Sequence, residues 1–263
     1  MVNKRNRVLK LVNYLESLGI EVNIGKNKAQ GKNGFLKIHN NKYRIDVAKG
    51  LDEDSTIKTL SHEFAHFLHY QYDKNLINLD FIFPTSEDIT EELISITVEK
   101  IQKNSIKPLF IKKEELLNEI KICTEKIKKQ YPDFKSNMDY KILEEKIKKT
   151  HFKHLLKYDR IKLIDTFSFK IYDIDSLIGN SIEEQYLILK SKKRALKRLQ
   201  TKISKMNNYY NRPTELFARS FEAYFFEKEL LKAKAPNVFY SYENFINEKV
   251  FFNLEKFIKI INL

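Results

Sequence analysis

The chain has 263 residues, of which 42% are hydrophobic and 13% aromatic, so it can bury a core without disulfides and is not intrinsically disordered. Its mean hydropathy is -0.49, and no apolar run reaches the about 18 residues that a membrane-spanning helix needs. The formal net charge is +13, and the whole surplus falls within residues 100–205, because the segments on either side are together neutral.

The N-terminal 20 residues predict a short amphipathic helix, because Asn13, Glu16 and Ser17 interrupt the apolar stretch that a signal peptide requires. The single cysteine, Cys123, cannot form an internal disulfide, which favours a reducing compartment. We therefore expect a cytoplasmic protein without a membrane span, and export by a non-classical route stays open.

Two segments with period-two alternation, 35–39 and 43–47, predict β-strands, and the pair Asn40-Asn41 between them predicts a hairpin turn. We expect strand 43–47 to lie at a sheet edge, where it could pair with the backbone of an extended substrate. The hydrophobic period then changes to that of a helix, and Asp54 or Ser55 can cap the helix start.

This helix carries the motif HEFAH at 62–66. His62 and His66 lie one turn apart on one helix face, so their imidazole nitrogens can converge on one Zn²⁺ ion. Glu63 is placed to accept a proton from an activated water. The motif therefore predicts a hydrolytic zinc site with Glu63 as general base.

Three candidates could supply the third zinc ligand. His69 shares the face of His62, but about 10.5 Å of axial rise separates them on a straight helix, so we expect a supporting or partly exposed histidine. Glu91 and Glu92 lie on the next predicted helix, at a distance typical of carboxylate ligands in zinc peptidases. Glu215 lies on a third predicted helix, much later in the chain.

The helix of Glu215 begins near Pro213 and is strongly aromatic. Glu215, Arg219 and Glu222 share one stripe of this helix, and a metal site would explain charged groups that face inward, with Arg219 or Glu222 orienting the ligands. The neighbouring stripe is apolar and consists of Phe217, Phe221, Tyr224 and Phe225.

The segments HEFAHFLHYQYD, YYNRPTELFARSFEAYFF and APNVFYSYENFINEKV resemble the catalytic domain of anthrax-lethal-factor-type metallopeptidases and related phage-encoded and polyvalent-protein metallopeptidase domains. The resemblance covers roughly residues 35–73 and 205–250. It implies a zincin of the gluzincin type.

By this resemblance, His62, His66 and Glu215 are the Zn²⁺ ligands and Glu63 is the general base. It further implies that Tyr210 or Tyr209 donates a hydrogen bond to the oxyanion. The strand hairpin and HExxH motif are also similar to ImmA/IrrE-type regulatory metallopeptidases, in which the third ligand would come from the helix of Glu91 and Glu92.

Residues 100–205 form a basic insertion in which apolar residues at helical spacing predict long amphipathic helices, with a break at Pro132. An alternative function is therefore a nucleic-acid- or anionic-surface-binding protein with a structural or vestigial metal site. One predicted helix carries a basic face of Lys192, Lys193, Arg194, Lys197, Arg198, Lys202 and Lys205.

These patterns together predict an α+β, mainly helical fold. Residues 1–99 and 206–263 would form a zincin-like core with a small N-terminal sheet, and 100–205 a helical insertion. The expected activity is that of a zinc metallopeptidase, an endopeptidase that hydrolyses a protein or peptide substrate. Weak binding of nucleic acid or of an acidic partner would occur through 100–205.

Overall fold

A computed structural model describes residues 5–26, 33–101, 105–130, 137–164, 167–170, 181–247 and 254–261. The chain divides into two compact units: the first unit is Met1–Lys103 with Asn207–Leu263, and the second unit is Asn104–Met206. The charge distribution placed the insertion at 100–205, and its assignment as a domain stays a prediction. Pro132 lies outside the described residues.

The described residues are mainly helical, with a small three-stranded sheet and a two-stranded sheet, as expected for an α+β chain rich in helix. In chain order the elements are α1 (Arg5–Ser17), β1 (Ile20–Lys26), β2 (Gly34–His39), β3 (Lys42–Ala48), α2 (Glu53–Tyr72), α3 (Glu87–Ile101), α4 (Lys107–Gln130), α5 (Asn137–Lys148), a 3-10 helix (His151–Leu156), β4 (Arg160–Ile164), β5 (Phe167–Lys170), α6 (Ile182–Tyr210), α7 (Pro213–Phe226), α8 (Lys228–Lys234), α9 (Pro236–Asn247) and α10 (Leu254–Ile261).

The three-stranded sheet of the first unit has the order β1-β3-β2. β2 and β3 form the predicted antiparallel hairpin, and the turn residues Asn40 and Asn41 both adopt positive φ angles, of 48° and 58°. The prediction that strand 43–47 lies at the sheet edge is wrong. β1 pairs with β3 in parallel, which makes β3 the central strand and leaves β2 as the edge that adjoins α2.

The N-cap of helix α2 lies two residues before Asp54 and three before Ser55, the two predicted caps. Asp52 is the N-cap, because its side chain accepts a hydrogen bond of 2.7 Å from the backbone N–H of Ser55. The acidic first turn, with Glu53 and Asp54, suits the positive end of the helix dipole.

Helices α2 and α7 pack against each other in the core of the first unit, and this contact brings the predicted site residues together. Phe64 of α2 and Phe221 of α7 are fully buried, with ring centroids 6.3 Å apart. The predicted apolar stripe on α7 is confirmed for Phe217, Phe221 and Tyr224, which are buried, whereas Phe225 is half-buried.

The second unit has its own apolar cluster, in which α5 and the start of α6 pack with the 3-10 helix. The helices predicted from the apolar repeats correspond to α4, α5 and α6, whereas the short strand pair β4 and β5 was not predicted. The buried members of the cluster are Leu143, Ile147, Leu155, Tyr186 and Leu187. Within the described ranges, no helix combines the length and apolar character needed to cross a bilayer.

Candidate metal centre

The two histidines of the HEFAH motif lie on one face of α2, and His62 lines a cavity of the first unit. Four residues make about one helical turn, so the rings of His62 and His66 are neighbours, with centroids 4.8 Å apart. Each side chain is largely shielded from solvent, with exposed fractions of 14% and 13%. The motif therefore forms on a helix, as its spacing predicts.

Glu215, in the first turn of α7, supplies a carboxylate between the two imidazoles. Its Oε2 lies 3.7 Å from Nε2 of His62, and its Oε1 lies 3.5 Å from Nε2 of His66. One ligand atom from each of these residues lies within 4.8 Å of the others. The structure thus brings together the three residues that the resemblance implies as ligands.

The second nitrogen of each imidazole is oriented by α7. Nδ1 of His66 lies 2.8 Å from the hydroxyl oxygen of Thr214, and Nδ1 of His62 lies 3.5 Å from Oε2 of Glu222. With Nδ1 engaged, Nε2 of each imidazole faces the Glu215 carboxylate, so the three side chains converge on one position, as the ligands of a metal ion must.

The electrostatics of the cluster favour a positive charge between the imidazoles. Burial by itself lowers the pKa of His62, but the carboxylates of Glu215 and Glu222 outweigh it and raise the pKa to about 9. Burial raises the pKa of Glu215, yet His62 and His66 together bring it well below its usual range.

The three residues fit a divalent cation. Glu215 is only 3% exposed, and its Oε2 is buried without a hydrogen-bond partner, which is costly unless another cationic group compensates it. Two imidazoles and one carboxylate form a ligand set typical of catalytic Zn²⁺ sites, with a fourth position left open.

Glu63 follows His62 on α2 and turns towards the edge strand β2. The backbone N–H of Leu36 donates a hydrogen bond of 2.8 Å to Oε2 of Glu63. A side chain at Gly34 would come within 3.0 Å of Oε1, so the glycine allows β2 to approach this carboxylate closely.

Both predicted tyrosines line the cavity at the end of α6, but they have different neighbours. Burial and the Glu215 carboxylate raise the pKa of Tyr209 above its usual value, so this hydroxyl stays protonated. Tyr210 instead contacts Arg219, whose guanidinium carbon lies 4.9 Å from the ring centroid. Of the two tyrosines, Tyr209 is therefore the one whose hydroxyl interacts with the Glu215 carboxylate.

The alternative third ligands lie elsewhere among the described residues. Glu91 is exposed, and Glu92 accepts hydrogen bonds from the side chain of Asn237 (2.8 Å) and the backbone N–H of Val238 (2.9 Å) at the start of α9. His69 is fully buried rather than partly exposed, because its Nε2 lies 2.7 Å from the carbonyl oxygen of Asn78 and its ring packs against aromatic residues.

The cavity has a volume of about 450 Å³ and lies entirely within the first unit. It extends from His62 along the first turns of α2, and its other walls include Gly34 of β2 and Glu222 of α7. Its lining includes two cationic side chains, Lys58 and Arg219.

Sequence reasoning did not identify the supporting contributions of Thr214 and Leu36. Thr214 directly precedes Glu215, and this proximity to a proposed ligand is the only feature of the sequence that points to a role for Thr214. Leu36 contacts Glu63 through its backbone N–H. Because almost any residue type can make a main-chain contact, the sequence does not reveal it.

Three of the seven basic residues on the predicted face of α6 pair with carboxylates of the second unit. Lys192 pairs with Glu119 at 2.7 Å, and both Arg194 and Arg198 pair with Asp159 at 2.7 Å. Binding of nucleic acid or of an acidic partner through residues 100–205 stays a prediction.

Comparisons with protein-family models, curated proteins and solved structures found no match to this chain. The functional assignment therefore depends on the site itself.

Proposed function

We propose that this protein is a zinc-dependent metallopeptidase whose first unit is a zincin-like core. The observation that carries the proposal is the convergence of His62, His66 and Glu215, with Glu63 one residue beyond the first ligand. When bound, zinc supplies the Lewis acidity that polarises a peptide carbonyl and lowers the pKa of water towards ~7.

Metal binding, orientation of the imidazoles and proton transfer are each assigned to residues of the chain. Nε2 of His62, Nε2 of His66 and the Glu215 carboxylate would hold the ion, while Thr214 and Glu222 orient the imidazoles. Glu63 accepts a proton from the attacking water on Oε1 and later delivers it to the leaving amine, while Oε2 stays bonded to the Leu36 N–H.

Tyr209 is the group we propose for stabilising the oxyanion, because it lines the cavity with His62 and Glu63 and its hydroxyl interacts with the Glu215 carboxylate. An extended substrate would pair with β2, the sheet edge that adjoins Glu63, in place of β3. Backbone pairing of this kind suits an internal segment of a polypeptide, which supports endopeptidase activity.

The test is incubation of the zinc-loaded full chain with a complex peptide mixture, followed by mass spectrometry of new termini. We expect cleavage by the wild type, and none after chelation or in the Glu63→Gln variant. The variant keeps its zinc and its fold, because the amide has the same shape but no basic oxygen. Equal cleavage by the variant contradicts the assignment of Glu63 as general base.

A further inference from the structure

The cavity beside the candidate metal centre carries a guanidinium whose Nε has no hydrogen-bond acceptor among the described residues. This group belongs to Arg219, which lines the cavity and whose Nε is buried. Its ion-pair contact among the described residues is with Oε2 of Glu215, 3.7 Å from Nε, which is longer than a hydrogen bond. The guanidinium also contacts the ring of Tyr210.

A second cation, Lys58, lines the same cavity from α2. Its ammonium nitrogen lies 5.5 Å from the ring centroid of Phe226, and no carboxylate of the described part of the chain forms an ion pair with it. Lys58 precedes His62 by four residues, and Arg219 follows Glu215 by four. Since four residues rise about 6 Å along a helix, each cation lies one turn from a ligand.

The charge balance of the cavity changes when the site holds a metal. Without an ion, the charge of Glu215 offsets that of Arg219. A divalent cation would bind the Glu215 carboxylate and neutralise its charge. That charge would then no longer balance the guanidinium of Arg219.

The formal charges then sum to one positive charge. Lys58 and Arg219 would contribute two positive charges, and a divalent ion bound by neutral imidazoles would contribute two more. The carboxylates of Glu63, Glu215 and Glu222 contribute three negative charges. A partly enclosed cavity with a positive excess and an unpaired guanidinium favours an anionic ligand.

We propose that Arg219 and Lys58 form a subsite for a carboxylate next to the scissile peptide bond of the substrate. Arginine presents a planar fork that binds carboxylates in a bidentate manner, and lysine adds a point charge. The carboxylate comes either from an aspartate or glutamate side chain of an internal segment, in keeping with endopeptidase activity, or from the C-terminal end of a peptide, in which case the enzyme is a carboxypeptidase. This inference rests on the proposed peptidase function and specifies its substrate class.

The test uses hydroxamate compounds as zinc-directed probes of the zinc-loaded full chain, with dissociation constants measured by calorimetry. One series places an Asp, Asn or Lys side chain on either side of the hydroxamate, and a second ends in a free acid or an amide. We expect at least about tenfold tighter binding of the anionic member of one series. Preference for Asp over Asn identifies a side-chain carboxylate, and preference for the free acid over the amide identifies a C-terminal one.

Two variants and a control connect the preference to the subsite. Arg219→Gln and Lys58→Glu should each bring the ratio of dissociation constants towards one, and Lys58→Glu should also improve binding of the Lys compound. The control Lys49→Glu changes an exposed lysine after β3 and should keep the wild-type ratio.

Zinc content, measured for every variant, separates the two claims. If the zinc-loaded wild type binds charged and neutral compounds equally, the proposed subsite is wrong but the proposed function is unaffected. The same holds if the preference for the anionic compound persists in both Arg219→Gln and Lys58→Glu. A chain that holds no zinc overturns the proposed function, and the subsite with it.

Discussion

At the scale of single residues, the two histidines proposed as zinc ligands each contact a neighbour that no motif includes. Thr214 engages Nδ1 of His66 and so helps to fix the orientation of its ring. His62 depends in the same way on Glu222, which lies 3.5 Å from its Nδ1. The affinity for zinc should therefore respond to these neighbours as well as to the ligands themselves.

Replacing Thr214 by valine tests this dependence. Thr214→Val keeps the shape of the side chain but removes the hydroxyl 2.8 Å from His66, so we expect zinc affinity to fall about 10- to 100-fold. Competition with a chelator measures the change. Thr214→Ser keeps the hydroxyl and should bind zinc nearly as the wild type does, and equal losses in both variants would contradict a hydrogen-bonding role.

At the scale of elements, the site depends on how closely β2 approaches α2. A Cβ atom at Gly34 would clash with Cγ2 of Thr59 and would lie 3.0 Å from Glu63. The absence of a side chain at Gly34 thus allows the strand edge to lie close to Glu63, the proposed general base.

We therefore expect Gly34→Ala to lower the free energy of unfolding by about 1–3 kcal/mol, as overpacking does. Urea denaturation measures it. Thr59→Ser removes Cγ2 but keeps the hydroxyl that donates to the Ser55 carbonyl, so the double variant should regain part of the loss. A Gly34→Ala variant as stable as the wild type would contradict the close approach.

The side chain of Asp159 connects the segment before β4 to helix α6. It accepts hydrogen bonds from Ser191 (2.8 Å), Arg194 (2.7 Å) and Arg198 (2.7 Å). Burial raises its pKa, but these partners outweigh burial and lower the pKa below its usual value.

Because the folded-state pKa of Asp159 lies below the unfolded value of about 3.9, its stabilisation is fully present above about pH 4. It is lost as the pH falls through the folded-state pKa. We expect Asp159→Asn to cost about 1–2 kcal/mol of unfolding free energy at pH 7, and less as the pH falls below 4. The exposed Glu115→Gln is the control for urea unfolding, and a loss that does not depend on pH would contradict the ionic role.

The limits of prediction from sequence are visible in the same elements. The HEFAH helix was predictable because its apolar period and the one-turn spacing of His62 and His66 are local properties. The strand β1 was missed, although Ile20, Val22 and Ile24 alternate, so β3 was wrongly assigned to the sheet edge. Strand order depends on pairing between distant segments, which local patterns do not encode.

At the scale of the whole molecule, the first unit contains the whole candidate site and the second unit most of the surplus positive charge. Four lysines on α6 have no ion-pair partner among the residues that the structure describes: Lys193, Lys197, Lys202 and Lys205. Nucleic-acid binding by the second unit would have to depend on charges of this kind.

We expect nucleic-acid binding to be weak and independent of sequence. Each phosphate contact should contribute about -0.7 to -0.9 to the slope of log affinity against log salt concentration. Reversal of the four lysine charges to glutamate should flatten this slope and leave hydrolysis of a short peptide unchanged. Tight duplex binding by a chain without zinc would instead favour the nucleic-acid-binding alternative.

The most direct test of the central claim is the zinc content of the purified full chain and its variants, measured by elemental analysis. We predict one zinc ion per chain in the wild type, its loss in His66→Ala and Glu215→Ala, and its retention in Glu91→Ala and Glu92→Ala. Circular dichroism confirms that each variant is folded. Retention of zinc by Glu215→Ala together with its loss from Glu91→Ala or Glu92→Ala would contradict the account.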